Sequence, residues 1–441
     1  MSKKVRDRLF FIFVIVFVIM TVLTSLYASG YKFNLSWPLK FNRLLQKTGM
    51  LNVATIPKGA YIFLNDKQQT GAVFSLIKRD FLETPTKIKN LLPGEYTLRL
   101  EREGYWPYEK KIRIDSGQTT FAEDINLFRS DSPLLLNDDL SAPLMNASGK
   151  YIYLKASGQI INLKDDSLSP LKVAAGTVGH WIKNSDKLFA DGKILNPGDN
   201  SVLDLTTAVG TGAVTWHYSD YDDHVYYSNF YSINRLESGN KTATIILKDE
   251  NYLNYEPRGE TIFAVVKTGN KLILKSYALK TGVKLEELEL PTVGNYVFKQ
   301  ESTNYLCLYD DQNLTLYLID PASIKNTTVI KGIKSWSWMN SDEIIYNTDW
   351  EINTFNIKTG QSALITRVSE AINNIIWHHD GRYFIFSTAT SLSAADLQTG
   401  TVTSITHAEN ITHPALDEKN NLLYFQATLN QQSGLYKLLL Q

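Results

Sequence analysis

The sequence is poor in the residues and motifs that build covalent or metal-bound sites. Among 441 residues there is one cysteine, Cys307, so an internal disulfide, a four-thiolate zinc site and a cysteine-ligated iron–sulfur cluster are excluded. The Gly-x-Ser-x-Gly nucleophile elbow, the Gly-x-x-x-x-Gly-Lys-Ser/Thr phosphate loop and the His-Glu-x-x-His metal helix are also absent. We therefore expect no cofactor, no metal site and no catalytic residue.

The chain also lacks a net charge, since 45 basic residues are balanced by 45 acidic ones. Nucleic-acid-binding proteins normally carry a basic excess, so this balance argues against a nucleic-acid partner. The charge is nevertheless unevenly distributed: residues 31–128 hold 15 basic and 10 acidic groups, and residues 129–441 hold 26 and 34. The basic part reflects either ordinary scatter or attraction to an anionic membrane or wall surface.

One long uncharged run lies near the start of the chain. Residues 9–28 are 20 consecutive uncharged positions, mostly Phe, Ile, Val and Leu, which is long enough for a helix to cross a bilayer. Basic residues at positions 3–8 predict a cytoplasmic N-terminus and an exported remainder. Small residues at 28–30 leave a cleaved signal peptide as the alternative, but the run is longer than a typical signal core. We favour an uncleaved single-pass anchor in the cell membrane, with residues 1–30 as cytoplasmic stub and helix.

The next part of the chain is rich in short strand-like segments. After a juxtamembrane linker at residues 31–48, the sequence predicts a small β-sandwich at residues 49–128. Residues 51–55 and 60–64 are strand-like runs, and residues 96–101 alternate apolar and polar side chains as a half-buried strand does.

The same residues carry a resemblance to a known family. Four stretches carry it in order: LNVATIPKGA at 51–60, LN at 64–65, LPGEY at 92–96 and EGYW at 103–106. They resemble a PEGA domain, although Lys58 stands where the naming motif has glutamate. The resemblance implies a non-catalytic attachment or interaction module of an exported or surface protein in bacteria, and it names no ligand.

An insertion interrupts this pattern. Within residues 72–82, Val73, Phe74, Ile77 and Phe81 stand near helical spacing. We expect a short amphipathic helix that packs on the sandwich, or alternatively lies on the membrane surface or a partner.

From about residue 142 the chain repeats every 35–43 residues. Each copy opens with an apolar or aromatic residue and a polar turn, and a strand-like run follows. The eight copies of this turn begin at Leu144, Trp181, Trp216, Tyr255, Phe298, Trp338, Trp377 and Leu416.

Each repeat has room for four short antiparallel strands, which is one blade of a β-propeller. Residues 129–441 are therefore predicted to form an eight-bladed propeller, with seven blades and one irregular unit as the alternative. The last copy ends after three strands, and Pro133 to Leu136 are predicted to supply the fourth and close the ring. The turn from Trp377 to Gly381 resembles the Trp-Ser-Pro-Asp-Gly signature of TolB-like propellers, with two histidines in place of Ser-Pro.

Of seven histidines, five lie near the start of a blade: His180, His217, His378, His379 and His413. If these side chains converged on the central channel, they would suit a metal or acid–base site. No carboxylate accompanies them at a fixed spacing, so we favour turn residues at a repeated register.

Tryptophans recur in the same register, as Trp181, Trp216, Trp336, Trp338 and Trp377. Stacking on a glycan or peptide is one interpretation, and packing of one blade on the next is the favoured one. The weak candidates for ligand binding are Trp338, Trp377, His378 and His379.

These features predict a mainly β envelope protein that is anchored in the membrane and does not catalyse a reaction. Its propeller is expected to lie outside the cytoplasm and to bind a protein, peptide or glycan as a scaffold or receptor. The alternative is an exported propeller enzyme, a lyase or hydrolase with its site in the central channel.

Overall fold

The computed structural model describes residues 3–33, 45–71, 81–209, 214–229, 231–237, 239, 241–301, 304–378 and 380–441. The chain divides into two compact units, one of residues 1–131 with Gln441 and one of residues 132–440. The helix expected at residues 72–82 falls largely outside the described residues.

The first unit begins with helix α1 (Lys3–Ala28). Its Val5–Ala28 part is long and apolar enough to cross a membrane, and none of its most apolar window is buried in the protein. Exposed apolar side chains all around a helix are stable only where a membrane or a similar apolar phase covers them, so α1 is a signal or a single-pass anchor. A short antiparallel pair, β1 (Tyr31–Phe33) and β2 (Leu45–Lys47), follows it.

The sandwich is built from seven strands. They are β3 (Gly49–Ile56), β4 (Tyr61–Leu64), β5 (Lys67–Gln68), β6 (Thr86–Leu91), β7 (Gly94–Glu101), β8 (Tyr108–Ile114) and β9 (Thr119–Asn126). One sheet has the order β6-β3-β9, with β3 and β9 parallel, and the other has the order β5-β4-β7-β8.

The sandwich core follows from the two-residue period of its strands. Leu51 and Val53 on β3, and Leu98 and Leu100 on β7, point to the same interior and are fully buried. The residues between them on each strand are less buried, as the alternation in the sequence predicted.

The second unit begins with β10 (Leu134–Asn137) and continues with the propeller blades. Blade 1 is formed by β11 (Pro143–Met145), β12 (Tyr151–Leu154), β13 (Gln159–Asn162) and β14 (Ser167–Pro170), and blade 2 by β15 (Gly179–Trp181), β16 (Leu188–Ala190), β17 (Lys193–Asn196) and β18 (Ser201–Asp204). Blade 3 is formed by β19 (Thr215–Ser219), β20 (His224–Asn229), β21 (Ser232–Glu237) and β22 (Thr242–Lys248). Blade 4 is formed by β23 (Asn251–Arg258), β24 (Thr261–Thr268), β25 (Lys271–Ala278) and β26 (Lys284–Leu290). A 3-10 turn at Thr206–Ala208 follows β18.

Blades 5 to 8 complete the ring. Blade 5 is formed by β27 (Tyr296–Lys299), β28 (Leu306–Asp310), β29 (Thr315–Asp320) and β30 (Ser323–Lys331), and blade 6 by β31 (Ser335–Asn340), β32 (Glu343–Asn347), β33 (Glu351–Asn356) and β34 (Gln361–Arg367). Blade 7 is formed by β35 (Asn374–Trp377), β36 (Tyr383–Ser387), β37 (Ser391–Asp396) and β38 (Val402–His407). Blade 8 contains β39 (Glu409–Asp417), β40 (Leu422–Leu429) and β41 (Gln432–Leu439). With β10, the described residues of the second unit form eight four-stranded antiparallel sheets, so the eight-bladed prediction is confirmed and the seven-bladed alternative is wrong.

The ring closes by strand addition. Blade 8 has the order β10-β41-β40-β39, so β10 supplies its outermost strand, as the count of strands predicted. Leu134 pairs with Lys437 and Leu135 with Tyr436. At this seam a Cβ atom on Gly434 would lie 2.2 Å from the carbonyl oxygen of Asn137, so only glycine lets the two strands approach.

The hydrophobic core is divided among the interfaces between blades. The cluster between blades 4 and 5, for example, contains fully buried Phe263 and Leu274 from one sheet and Leu308 and Ile319 from the next. First strands of neighbouring blades touch, including β39 with β11, so these strands line the inner surface of the ring. We call the end of the ring where first strands turn into second strands the first-turn end.

Candidate functional site

The residues singled out in the sequence mostly serve packing. Trp377 is 5% exposed and lies in the core cluster with Ile375 and Phe384. Trp338 stacks on Tyr305 of blade 5, with ring centroids 6.2 Å apart and planes at 10°. These positions match the favoured interpretation of the recurring tryptophans as contacts between neighbouring blades.

His378 is held inside its own turn. Its Nδ1 lies 3.1 Å from Oδ1 of Asp380, and its ring stacks on Tyr383 with centroids 4.5 Å apart. The fourth candidate, His379, lies outside the described residues. His413 makes its contact inside blade 8, where Nδ1 lies 3.2 Å from Oε1 of Gln426.

Two blade-start histidines do join a polar cluster, and each does so by pairing with a carboxylate of the following blade. Nε2 of His180 on β15 lies 2.9 Å from Oδ2 of Asp220, which is 40 residues later. Nε2 of His217 on β19 lies 3.3 Å from Oε1 of Glu256, which is 39 residues later. Both partners stand about one repeat further along, but Asp220 lies just beyond β19 whereas Glu256 lies within β23, so the two pairs are similar contacts at successive blade interfaces.

A glutamine connects the two pairs. Gln300 follows β27 in blade 5, and its Nε2 lies 2.9 Å from the carbonyl oxygen of Tyr218 and 3.0 Å from Oε2 of Glu256. Its Oε1 accepts a hydrogen bond of 2.9 Å from the backbone N–H of Asp220. Blades 3 and 5 are not neighbours, so this contact must lie at the inner surface of the ring.

We call His180, His217, Asp220, Glu256 and Gln300 the channel network. Glu256 is 1% exposed, so its charge depends on the donors around it. The side-chain amide of Gln300 has two N–H groups, and the carbonyl of Tyr218 and the carboxylate of Glu256 use both. Nε2 of His217 also lies 3.2 Å from Nε2 of Gln300, so the tautomer that fits these contacts has its proton on Nε2 and donates to Oε1 of Glu256.

The electrostatics of Asp220 follow from its contacts. Burial alone would raise the pKa of Asp220, but hydrogen bonds from His180 and from the backbone N–H of Lys183 outweigh it and hold the pKa below its ordinary value. The carboxylate is thus ionised and already has hydrogen-bond donors. For the neighbouring Tyr218, burial and the carboxylate of Asp223 raise the pKa well above the ordinary tyrosine value.

The side chains of the channel network are not placed as the ligands of a metal centre. Among the described residues, no group of three or more His, Cys, Asp or Glu side chains is placed to hold a metal ion. Cys307 is fully buried in the cluster between blades 5 and 6, where burial raises the pKa of its thiol and keeps it unreactive.

A groove opens next to the channel network at the first-turn end. We call this cavity of about 690 Å³ between blades 2 and 3 the large groove. Its apolar floor consists of Ile182, Ile194, Leu203 and Tyr218, and Asp220 of the channel network reaches one wall. The remaining lining residues are polar or charged: Lys183, Asn184, Ser185, Lys187, Asn196, Ser201 and Asp223.

A second cavity of about 350 Å³, the small groove, lies on the other face of blade 2. It is lined by Pro170 and Lys172 from blade 1 and the segment after it, and by Leu195 and Val202 of blade 2. The strands of blades 1 and 2 have three or four residues, while the first strands of blades 4 and 8 have eight and nine. The short strands of blade 2 leave both faces of its sheet partly uncovered.

Sequence reasoning missed Asp220, Glu256 and Gln300. No carboxylate was expected at a fixed spacing from the histidines, whereas the structure pairs two of them with carboxylates 40 and 39 residues further along the chain. A search at the repeat period would have found the two histidine–carboxylate pairs. The contacts of Gln300 would not be found in this way, because its side chain starts in blade 5 and bonds to residues of blade 3.

Comparison with known proteins agrees with the two-part architecture. Residues 48–126 match the family model described as PEGA domain, so the first unit contains a PEGA domain. No curated protein matches the chain.

Solved structures similar to this chain are propellers. The Dos1 propeller is 12% identical over 70% of this chain and 94% of its own, with a TM-score of 0.47. BamB from Moraxella catarrhalis is 15% identical over 70% of this chain and 99% of its own, with a TM-score of 0.41. At these identities the likeness concerns the fold alone.

Proposed function

We propose that this protein is a membrane-anchored receptor or scaffold of the bacterial envelope, and that its propeller binds an exported protein, peptide or glycan without catalysing a reaction. In this proposal α1 remains uncleaved, the N-terminus is cytoplasmic, and the PEGA domain and propeller lie outside. The anchor sets the location and the propeller supplies the binding surface.

The observation that carries this proposal is the large groove. Its volume of about 690 Å³ falls within the range of ligand-binding clefts, and its lining combines an apolar floor with polar groups at the rim. Neutral side chains such as Asn184, Ser185 and Asn196 suit hydrogen bonding to a peptide or glycan without committing the site to one reaction.

A second candidate, an exported lyase or hydrolase, is favoured by one feature. The His180–Asp220 pair has the 2.9 Å geometry of an acid–base dyad and stands beside the groove. Asp220 also accepts from the backbone N–H of Lys183, however, and Gln300 fills the space on its inner side. These contacts build Asp220 into the packed channel network, and we favour binding as the function.

Site-specific photo-crosslinking in living cells tests the proposal. A photoreactive amino acid at Asn196, in the large groove, should capture a ligand when the full-length protein is expressed in its envelope. The matched control is Asn356, which ends the third strand of blade 6 as Asn196 ends that of blade 2 and is similarly half-buried.

We expect an adduct from position 196 and none from position 356. Equal labelling at both positions, or none at either, would contradict a binding role for the groove. Conversion of an envelope glycan or peptide by the wild-type protein, and its loss in His180→Ala, would establish the enzyme instead.

A further inference from the structure

The outer edges of the eight blades differ in one respect that bears on binding. Exposed strand edges attract other strands, and proteins blunt them with bulges, prolines or charges. In blades 3 to 8 the register between the third and the outermost strand is irregular. Blade 1 has a regular register but carries Pro170 on its outer strand β14.

Blade 2 has neither a bulge nor a proline at this place, although β18 is short and ends in Asp204. Its third and outermost strands, β17 and β18, pair without any register shift from Asn196 opposite Ser201 to Lys193 opposite Asp204. No described strand pairs with the other side of β18. Among the outer strands that the structure describes, β18 is thus the one whose edge is both regular and free of proline.

The hydrogen bonds next to β18 fix which of its backbone groups face outward. The N–H of Leu205 donates to the carbonyl of Gly192 at 2.9 Å, just beyond the paired residues. Because inward and outward backbone groups alternate along a strand, Leu203 also faces β17 and Val202 and Asp204 present their N–H and C=O groups outward.

Blade 1 supplies the comparison for this register. There the N–H of Leu171 donates to the carbonyl of Gly158 at 3.1 Å, so Leu168 and Pro170 of β14 occupy the outward positions. Pro170 has no N–H to offer at the place where Asp204 of β18 offers one. The two neighbouring edges are alike in length and register but not in their capacity to accept another strand.

The two grooves lie on opposite faces of the open edge. Leu203 belongs to the lining of the large groove, on the side of blade 3, and Val202 to that of the small groove, on the side of blade 1. Asn196 and Ser201, at the turn, border both. A strand added to β18 would direct its side chains alternately into one groove and the other.

The rims of the grooves carry three lysines, and the two carboxylates that line the large groove, Asp220 and Asp223, are already paired with His180 and with the hydroxyl of Tyr218. Lys172 borders the small groove, and Lys183 and Lys187 border the large one; all three are exposed. The nearby turn carboxylate of Asp186 is already engaged by Lys150, with Nζ and Oδ2 2.5 Å apart. The lysines therefore favour acidic side chains on an incoming ligand.

From these observations we propose that β18 accepts an extended acidic peptide segment of a partner protein as a fifth strand of blade 2. The proposal rests on the receptor function above and names its ligand class. Four residues offer few main-chain hydrogen bonds, so the side-chain contacts in the two grooves are needed for affinity and supply the specificity. A glycan lacks the alternating N–H and C=O groups that match this edge.

The test uses the full-length protein in detergent micelles, immobilised and exposed to a pool of blocked peptides. The pool has Asp or Glu at alternating positions and randomised residues between them. Two matched pools carry Lys at the alternating positions, or N-methyl groups on every second backbone nitrogen. We expect retention of the acidic pool and at least about tenfold lower retention of the other two, since they lose the charge match and the main-chain hydrogen bonds respectively.

The decisive variant is Val202→Pro, which removes an outward N–H and places the proline ring at the edge. Retention of the acidic pool should fall at least about tenfold. The matched control is Leu168→Pro, at the same outward position of β14 and also preceded by serine, which should leave retention unchanged. Lys183→Glu together with Lys187→Glu should weaken retention as well, without a change in the fold.

Strand addition is overturned if no peptide of the acidic pool is retained, if the N-methylated pool binds as well, or if both proline variants have the same effect. The receptor function fails separately, through the crosslinking experiment at Asn196. A glycan or a folded protein captured at that position, with no peptide retained, would refute strand addition and leave the receptor function standing.

Discussion

The ring is held together in two different ways on its two sides. At the seam, β10 joins β41 through main-chain pairing, and residues more than 300 positions apart in the sequence become neighbours: Leu134 opposite Lys437. Across blades 2 to 5 there are additional side-chain links, and Gln300 reaches from blade 5 to blade 3. Blade 8 takes its outermost strand from a distant part of the chain, whereas the four strands of blade 2 are consecutive.

The difference separates stability from recognition. Main-chain pairing at the seam joins distant parts of the chain, so its loss affects the whole ring. The open edge lies in blade 2, whose strands have three or four residues, and the channel network extends from blade 2 to blade 5. We expect substitutions at the seam to destabilise the whole ring, and substitutions in blades 2 to 5 to have smaller effects that stay local.

Removal of β10 should have the largest effect. Deletion of residues 134–137 leaves β41 as an unpaired edge and opens the ring, and we expect a loss of more than about 4 kcal/mol in the free energy of unfolding, with aggregation. Thermal unfolding and the soluble fraction of the full-length protein measure this. Leu140→Ser, an exposed position just beyond β10, is the control. A deletion variant that keeps its solubility and melting temperature would show that β10 is only a linker.

The channel network should rank second. Gln300→Leu removes the donor that reaches Oε2 of Glu256 and leaves a carboxylate that is 1% exposed with an unsatisfied oxygen. Breaking a buried charged contact in this way should cost about 3 kcal/mol of unfolding free energy. Chemical denaturation measures the change, and Gln312→Leu, an exposed glutamine of the same blade, should stay within about 0.5 kcal/mol of wild type. Equal effects of the two variants would refute the bridging role.

A smaller change probes the seam itself. Gly434→Ala places a Cβ atom 2.2 Å from the carbonyl oxygen of Asn137, and the strands must separate to relieve the clash. We expect a loss of about 2 kcal/mol in unfolding free energy. Gly239→Ala, at a glycine with nothing within 4 Å and no left-handed backbone angle, should be neutral. If both substitutions leave the free energy of unfolding unchanged, β10 and β41 do not approach each other as closely as the structure indicates.

The repeated part of this fold is visible in the sequence because each blade repeats the same turn and strands. The missing fourth strand of the last repeat was enough to predict the role of Leu134 to Leu136. The histidine–carboxylate pairs were not found, because a contact one repeat away is distant in the sequence although near in space. The grooves depend on the shortness of the strands in blade 2, and strand ends are the least certain part of a sequence pattern.

The pH dependence of stability should report on Asp220. Because the pKa of this carboxylate is held below its ordinary value in the folded protein, its ionised form stabilises the fold above about pH 4, the ordinary unfolded range. That stabilisation is lost as the pH falls through the lower, folded value. Asp220→Asn should therefore cost about 1 kcal/mol near neutral pH and less in acid.

Urea unfolding of Asp220→Asn at several pH values measures this difference. Asp191→Asn, at an exposed turn residue of the same region, is the control and should show no such trend. A difference between Asp220→Asn and wild type that stays constant down to the most acidic pH would contradict the assignment of Asp220 as a stabilising carboxylate.

The smallest effect on the free energy of unfolding is expected at the outer edge of β18, where an unchanged value would itself support the assigned register. Val202→Pro should change the free energy of unfolding by less than about 0.5 kcal/mol, because an outward N–H makes no bond to β17. Leu203→Pro, one position along, removes an inward bond and should cost about 3 kcal/mol. Denaturation of both variants tests the register that the Leu205–Gly192 hydrogen bond implies. If Val202→Pro were the more damaging of the two, the inward and outward positions of β18 would be exchanged, and the groups offered at this edge would be those of Ser201 and Leu203.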